Sequence, residues 1–130
     1  MPEEQVTNGG FETGDFTGWA SAYDGEFYDI LITDSHAKTG TYSCELTSMN
    51  FVGTQWCQIS QDVDFTNVTS FTFSYFISDG AADGVFTVTI DGDTVLSTSS
   101  YLGVWVDADI DVSGYTGSKT VVFRSTCNGA

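Results

Sequence analysis

The constraint that decides most about this chain is a two-residue alternation of apolar and polar side chains, repeated along nearly its whole length. Successive side chains of a β-strand point to opposite faces, so alternation marks a strand with one buried and one wet face. VFTVTID shows it most plainly: Phe86, Val88 and Ile90 share a face, and Asp91-Gly92 is a tight turn into TVLST. In QWCQISQDVDF the core side takes Cys57, Ile59, Val63 and Phe65 with Gln61 among them, leaving Trp56, Gln58, Ser60, Asp62 and Asp64 outside. SFTFSYFIS offers Phe71, Phe73, Tyr75 and Ile77, and VWVDADIDV sets Val104, Val106, Ile110 and Val112 against Trp105, Asp107, Asp109 and Asp111. YDILIT puts Ile30 and Ile32 together, TYSCELT puts Tyr42, Cys44 and Leu46 together, and KTVVFRST closes with Val121 and Phe123 or Val122 inward. No window keeps the 3.6-residue period of a helix. With a short first strand around Gly10 to Glu12 this gives about eight strands. Half-polar strands exclude a parallel sheet covered by helices, and the arrangement that buries one face of each is a β-sandwich of two antiparallel sheets.

The 130 residues suffice for one domain with a core and not for two. Asp plus Glu number 18 against 3 Lys plus Arg, for a net charge of -15. Such a surface repels phosphates and anionic lipid, which removes nucleic acid and membrane surfaces as partners. It suits solubility in a salty medium, and it also attracts cations such as Ca²⁺ to oxygen ligands. No apolar run approaches the ~20 residues of a membrane span, and MPEEQV is not a signal peptide, so export implies a leader already removed. Asn67-Val68-Thr69 is a glycosylation acceptor by pattern alone.

Five segments taken in order carry a resemblance: NGGFETGDFTGW, HAKTGTYSCEL, ISQDVDFTNVTSFTFSY, FTVTIDGDTVLSTSS and LGVWVDADIDVSGYTGSKTVVFR. The chain resembles jelly-roll carbohydrate-binding modules of the family 4, 16 and 22 type, and equally the jelly-roll modules repeated in extracellular and surface-layer proteins. The resemblance spans nearly all of residues 1–130 and implies a single jelly-roll module. It implies a structural Ca²⁺ between the first strand and the turn before TYSCELT, which maps onto Gly10, Glu12, Lys38 and Gly40. The aspartate that the family's last strand adds has no match here. The chain therefore reads as lacking its closing strand, with an unpaired edge beside the first one. That edge would be left open, cut away, or filled by another chain through strand complementation.

Sugar recognition needs an aromatic face for the C–H side of a pyranose and a few amide or carboxylate groups for its hydroxyls. On polar faces stand Trp56 with Gln58, Phe76 with Ser74, and Trp105 with Asp107, while Tyr23 sits in a loop or strand start. If these outward faces belong to one sheet, Trp56, Phe76 and Trp105 line a groove. Trp19, following a glycine-rich turn, reads as a plug of the core. Asp107, Asp109 and Asp111 are spaced about 6.6 to 7 Å apart along their strand, too far for one Ca²⁺ to bridge all three, and belong to the solvated surface.

Cys44 and Cys57 fall inward on consecutive strands and are either a disulfide or two small buried thiols, with Cys127 left over. The single histidine, His36, lies in the turn-like DSHAKTG, and no carboxylate pair is marked for glycoside chemistry. The expectation is thus a non-catalytic glycan-binding module of a secreted or cell-surface protein. The alternative is a structural or adhesive module of a filament or surface layer that self-associates or adjoins other domains.

Overall fold

The hydrophobic alternation closes into strands stacked as two layers. The computed structural model describes Val6 and residues 11–24, 28–33, 41–48, 55–76, 84–98 and 105–127. Among them nine strands follow in order: β1 (Ala20–Asp24), β2 (Tyr28–Thr33), β3 (Ser43–Ser48), β4 (Gln55–Asp64), β5 (Ser70–Phe76), β6 (Gly84–Ile90), β7 (Asp93–Thr98), β8 (Trp105–Asp111) and β9 (Ser118–Cys127). One layer is a five-stranded antiparallel sheet in the order β1-β4-β9-β6-β7. Across from it stand two antiparallel pairs, β2 with β3 and β5 with β8. The chain is an all-β sandwich, and no helix among the described residues is long and apolar enough to cross a membrane.

The core lies where the inward parities meet. Cys57, Ile59 and Val63 of β4, Val88 and Ile90 of β6 and Val121 of β9 are buried on one side, and Phe71 of β5 with Val112 after β8 faces them. Phe73 meets Phe123 of β9 edge-on at 5.3 Å, which fixes the β5–β8 pair over the large sheet. Removing each such aliphatic or phenyl group from water contributes about 1.5–3 kcal/mol. Gln61, at the same parity, is buried at 9% exposure. Loops are tied into the layers through backbone bonds, with Phe65 N–H donating to Gly117 O at 2.9 Å and Val112 N–H to Thr69 O at 3.0 Å.

Three expectations are corrected. First, residues 11 and 12 are not a strand: Phe11 has φ 60, in the left-handed region, and Gly14 N–H donates to Phe11 O to close a turn. Asp15 gathers that turn by accepting from the Thr13 and Thr17 hydroxyls at 2.6 Å each. Second, Tyr23, expected in a loop or at a strand start, lies within strand β1, and the strand that holds KTVVFRST takes a central place. It is β9, the centre of the large sheet, paired along its length with β4 on one side and β6 on the other. Third, Cys44 and Cys57 are thiols and not a cystine. Consecutive in sequence, their strands belong to different sheets: Cys44 sits opposite Ile32 in the β2–β3 pair, and Cys57 between Tyr23 and Ser125 in the large sheet. The reading of Cys57 as a small buried apolar group stands, at 0% exposure.

Candidate functional site

Strand β4 carries the core on one face and the candidate site on the other, because Cys57 and Ile59 commit it inward and turn Trp56, Gln58 and Ser60 out. Strand β9 runs antiparallel beside it with Val121 and Phe123 inward, and this register places Arg124 opposite Gln58 and Thr126 opposite Trp56. The side chains of Trp56, Gln58 and Arg124 close on one another. The Arg124 guanidinium carbon stands 4.0 Å from the centroid of the Trp56 ring. Its Nε and Nη2 both donate to Gln58 Oε1, at 2.8 and 2.5 Å. A cation over an indole contributes about 0.5–1 kcal/mol when exposed and about 2 when desolvated. All three side chains are half-buried, so the cluster is held in one geometry.

Around it the outer face is low. One cross-strand row reads Ala22, Gln58, Arg124, Thr87 and Ser97, and the next reads Ala20, Ser60, Val122, Thr89 and Thr94. Carboxylate residues enter only beyond these two rows, with Asp24 opposite Trp56 at the β1 edge on one side and Asp62 opposite Thr120 on the other. Arg124 is absent from the residues that the sequence pattern singles out, although two signals mark it: it is the chain's one arginine, and with Val121 and Phe123 inward its even position must face out.

The other candidates fall elsewhere. Trp105 and Phe76 face each other across the β5–β8 pair, in the layer opposite Trp56, so the groove uniting Trp56, Phe76 and Trp105 does not form. Only the backbone of Phe76 is placed; its side chain lies outside the described residues. Tyr23 stands opposite Cys57, on the other face of the sheet from Trp56, and is 55% exposed at the β1 edge. Along β8 the acidic row is engaged with serines: Ser74 Oγ donates to Asp107 at 2.6 Å and Ser70 Oγ to Asp109 at 2.5 Å. Asp111 accepts the Ser113 N–H at 3.0 Å, which holds its carboxyl below the ordinary value of 3.8. A shallow hollow lined by Thr72, Ser74, Asp107 and Asp109 marks this face.

Trp19 acts as the plug that its position suggests. Its ring stacks on Phe11 at 5.4 Å and meets Phe123 edge-on at 5.9 Å. Next to it Glu12 spans the sandwich end, one oxygen accepting the Thr41 N–H and the other the Tyr42 N–H, both at 2.9 Å. These bonds favour the carboxylate and lower its pKa, that from Thr41 first. Gly10, Lys38 and Gly40 of the anticipated Ca²⁺ set lie outside the described residues, as does His36. Ca²⁺ takes six to eight oxygens. Among the described residues Glu12 is the one member of that set, and no group of three metal-ligating side chains forms; the described donors do not complete the site.

The sequence matches no protein-family model and no curated protein. The structure is similar to that of a carbohydrate-binding module, TmCBM61, solved in complex with beta-1,4-galactotriose. The TM-score is 0.71 at 17% identity, and the match covers 98% of this chain and 90% of that one. At that identity the likeness shows a shared β-sandwich fold.

Proposed function

We propose that the protein is a non-catalytic carbohydrate-binding module, acting outside the cell or at its surface, and that it binds glycan on the outer face of the five-stranded sheet. The observation that carries this reading is the Trp56–Arg124–Gln58 cluster, an indole with the guanidinium over one of its faces and the amide bonded to that guanidinium, which leaves the other indole face for a sugar. Pyranose C–H faces stack on indole, and ring hydroxyls accept from a guanidinium or exchange bonds with an amide. The shared fold with a carbohydrate-binding module supports the reading, and β-1,4-galactan is the first ligand to try. Titration against a panel of plant, algal and microbial glycans, followed by heat and indole fluorescence, tests it. We expect binding that Trp56→Ala weakens at least tenfold while Trp105→Ala leaves it within about twofold, since loss of a central aromatic anchor costs about 2 kcal/mol or more. No heat and no fluorescence change with any glycan refutes the proposal.

A second reading, a structural or adhesive module, is favoured by β1, which pairs on one side only among the described residues and bears the exposed Tyr23. An added strand from another chain would use that edge. Sizing at several concentrations distinguishes the two: a monomer throughout removes the adhesive reading and leaves the glycan reading intact.

A further inference from the structure

We infer that Arg124 selects an acidic glycan, one whose sugar presents a carboxylate or sulfate to the guanidinium beside Trp56. The inference rests on the glycan-binding reading above and specifies the chemical class of its ligand. It begins with a mismatch between the composition of the chain and the company Arg124 keeps. Acidic residues outnumber basic ones 18 to 3, so a cation on this surface has carboxylates in abundance. Lys119 takes one, Asp91, at 3.7 Å. Arg124 does not: among the described residues its partners are the neutral Gln58 amide and the Trp56 ring.

A guanidinium has five N–H donors in a planar fork and no acceptor. Gln58 Oε1 takes two of them, and five minus two leaves three donors on a group that the sheet holds from one side. An oxyanion is the group that matches such a fork with two parallel bonds, which neutral hydroxyls do not reproduce. Gln58 and Trp56 fix the orientation of the fork before any ligand arrives, so less side-chain freedom is lost on binding.

The charge pattern of the face agrees. The rows through Arg124 and through Ser60 contain no acidic residue across all five strands. Asp62 comes four residues beyond Gln58 on β4, about 13 Å along the strand, and Asp24 stands at the β1 edge of the Trp56 row. The overall negative charge opposes an anionic ligand at long range, but at physiological ionic strength fields beyond about 8 Å are screened. A contact at Arg124 is shorter than that, and it decides the sign of the local interaction.

The test compares ligands that differ only in charge, at about 0.15 M salt. An oligouronate is titrated against its carboxyl-reduced form, and a sulfated galactan oligomer against its desulfated form, each on the intact chain. A charged member binding about tenfold or more tighter than its neutral twin is the expected result, the size of one or two hydrogen bonds to a charged group. The pair that shows it identifies the oxyanion. Arg124→Gln should erase the preference, so that charged and neutral twins bind this variant alike whatever their common affinity, and Arg124→Lys should retain part of it. Equal affinities within both pairs overturn the inference, as does a preference that survives Arg124→Gln. Titrations of the unaltered chain decide the first of these outcomes even if a variant misfolds, and Arg124→Lys then serves for the second, as a preference undiminished in it also overturns the inference. Binding of neutral glycans alone defeats this inference and spares the glycan-binding reading, whereas no binding of any glycan defeats both.

Discussion

At Glu12 a single carboxylate fastens the N-terminal turn to the start of β3, twenty-nine and thirty residues on, through the Thr41 and Tyr42 N–H groups. Those bonds lower its pKa from 4.5 in the folded state. A lowered folded pKa means that the unfolded chain binds the proton more readily, so the stabilisation is complete above 4.5 and is lost as pH falls through the folded value. Asp15 behaves alike over a lower window, from 3.8 down to about 2, chiefly through the Thr13 hydroxyl and then Thr17. We predict that Glu12→Gln melts below the wild type at pH 7 and that the gap closes as pH is lowered past 4.5. A gap unchanged down to pH ~2 shows that the ionised clamp is not what stabilises this end. Repeating the melts with added CaCl2 tests the Ca²⁺ site that the family resemblance implies: stabilisation of the wild type, and not of Glu12→Gln, puts an ion at this carboxylate.

Among the elements, the β6–β7 hairpin is the one whose chemistry the sequence spells out residue by residue. Ile90 pairs with Asp93, and the two residues between them take φ 53 at Asp91 and φ 84 at Gly92, the left-handed pair that a two-residue turn demands. A Cβ at Gly92 would meet nothing within 4 Å, so Gly92→Ala is costly only through backbone conformation. That places its effect at about 1 kcal/mol, or a fall of about 4 °C in Tm, readable in a thermal melt. No change indicates that the turn rearranges. The same hairpin shows why some of the molecule could be read and some not. Alternation tells which face a residue takes, and for Cys57, Ile59, Val63, Val88, Ile90 and Val121 that sufficed. It carries no information on which strand lies beside which, so β9 as the central strand, the separation of Cys44 from Cys57, and the two faces that divide Trp56 from Trp105 became visible only in the pairings. Arg124 stayed hidden for the same reason: its partners Gln58 and Trp56 lie on another strand, and only register brings them together. At Phe11 the limit is different, since a phenylalanine with φ 60 defies its own β preference and is held by the Trp19 stack.

For the molecule as a whole, stability and charge pull against each other. Asp62, Asp64, Asp91, Asp93, Asp107, Asp109 and Asp111 all stand exposed, and the chain's net charge is -15. Two carboxylates about 7 Å apart repel by about 0.6 kcal/mol in bulk water, and many such pairs add across the surface. Against them the Lys119–Asp91 pair, long at 3.7 Å and partly exposed, offers an attraction of about 1 kcal/mol at most. Repulsion therefore dominates the salt-sensitive part of the free energy, while the aromatic and aliphatic core between the layers is indifferent to screening. Raising NaCl from about 10 to about 150 mM shortens the Debye length from about 30 to about 8 Å, which removes most of the repulsion between distant carboxylates and less of that between neighbours. Tm should climb across that interval and more slowly beyond it, with KCl giving the same curve as NaCl because the effect is screening and not ion binding. A Tm that falls or stays flat over the interval would mean that attractive pairs, and not the excess of carboxylates, govern the electrostatics of the folded state.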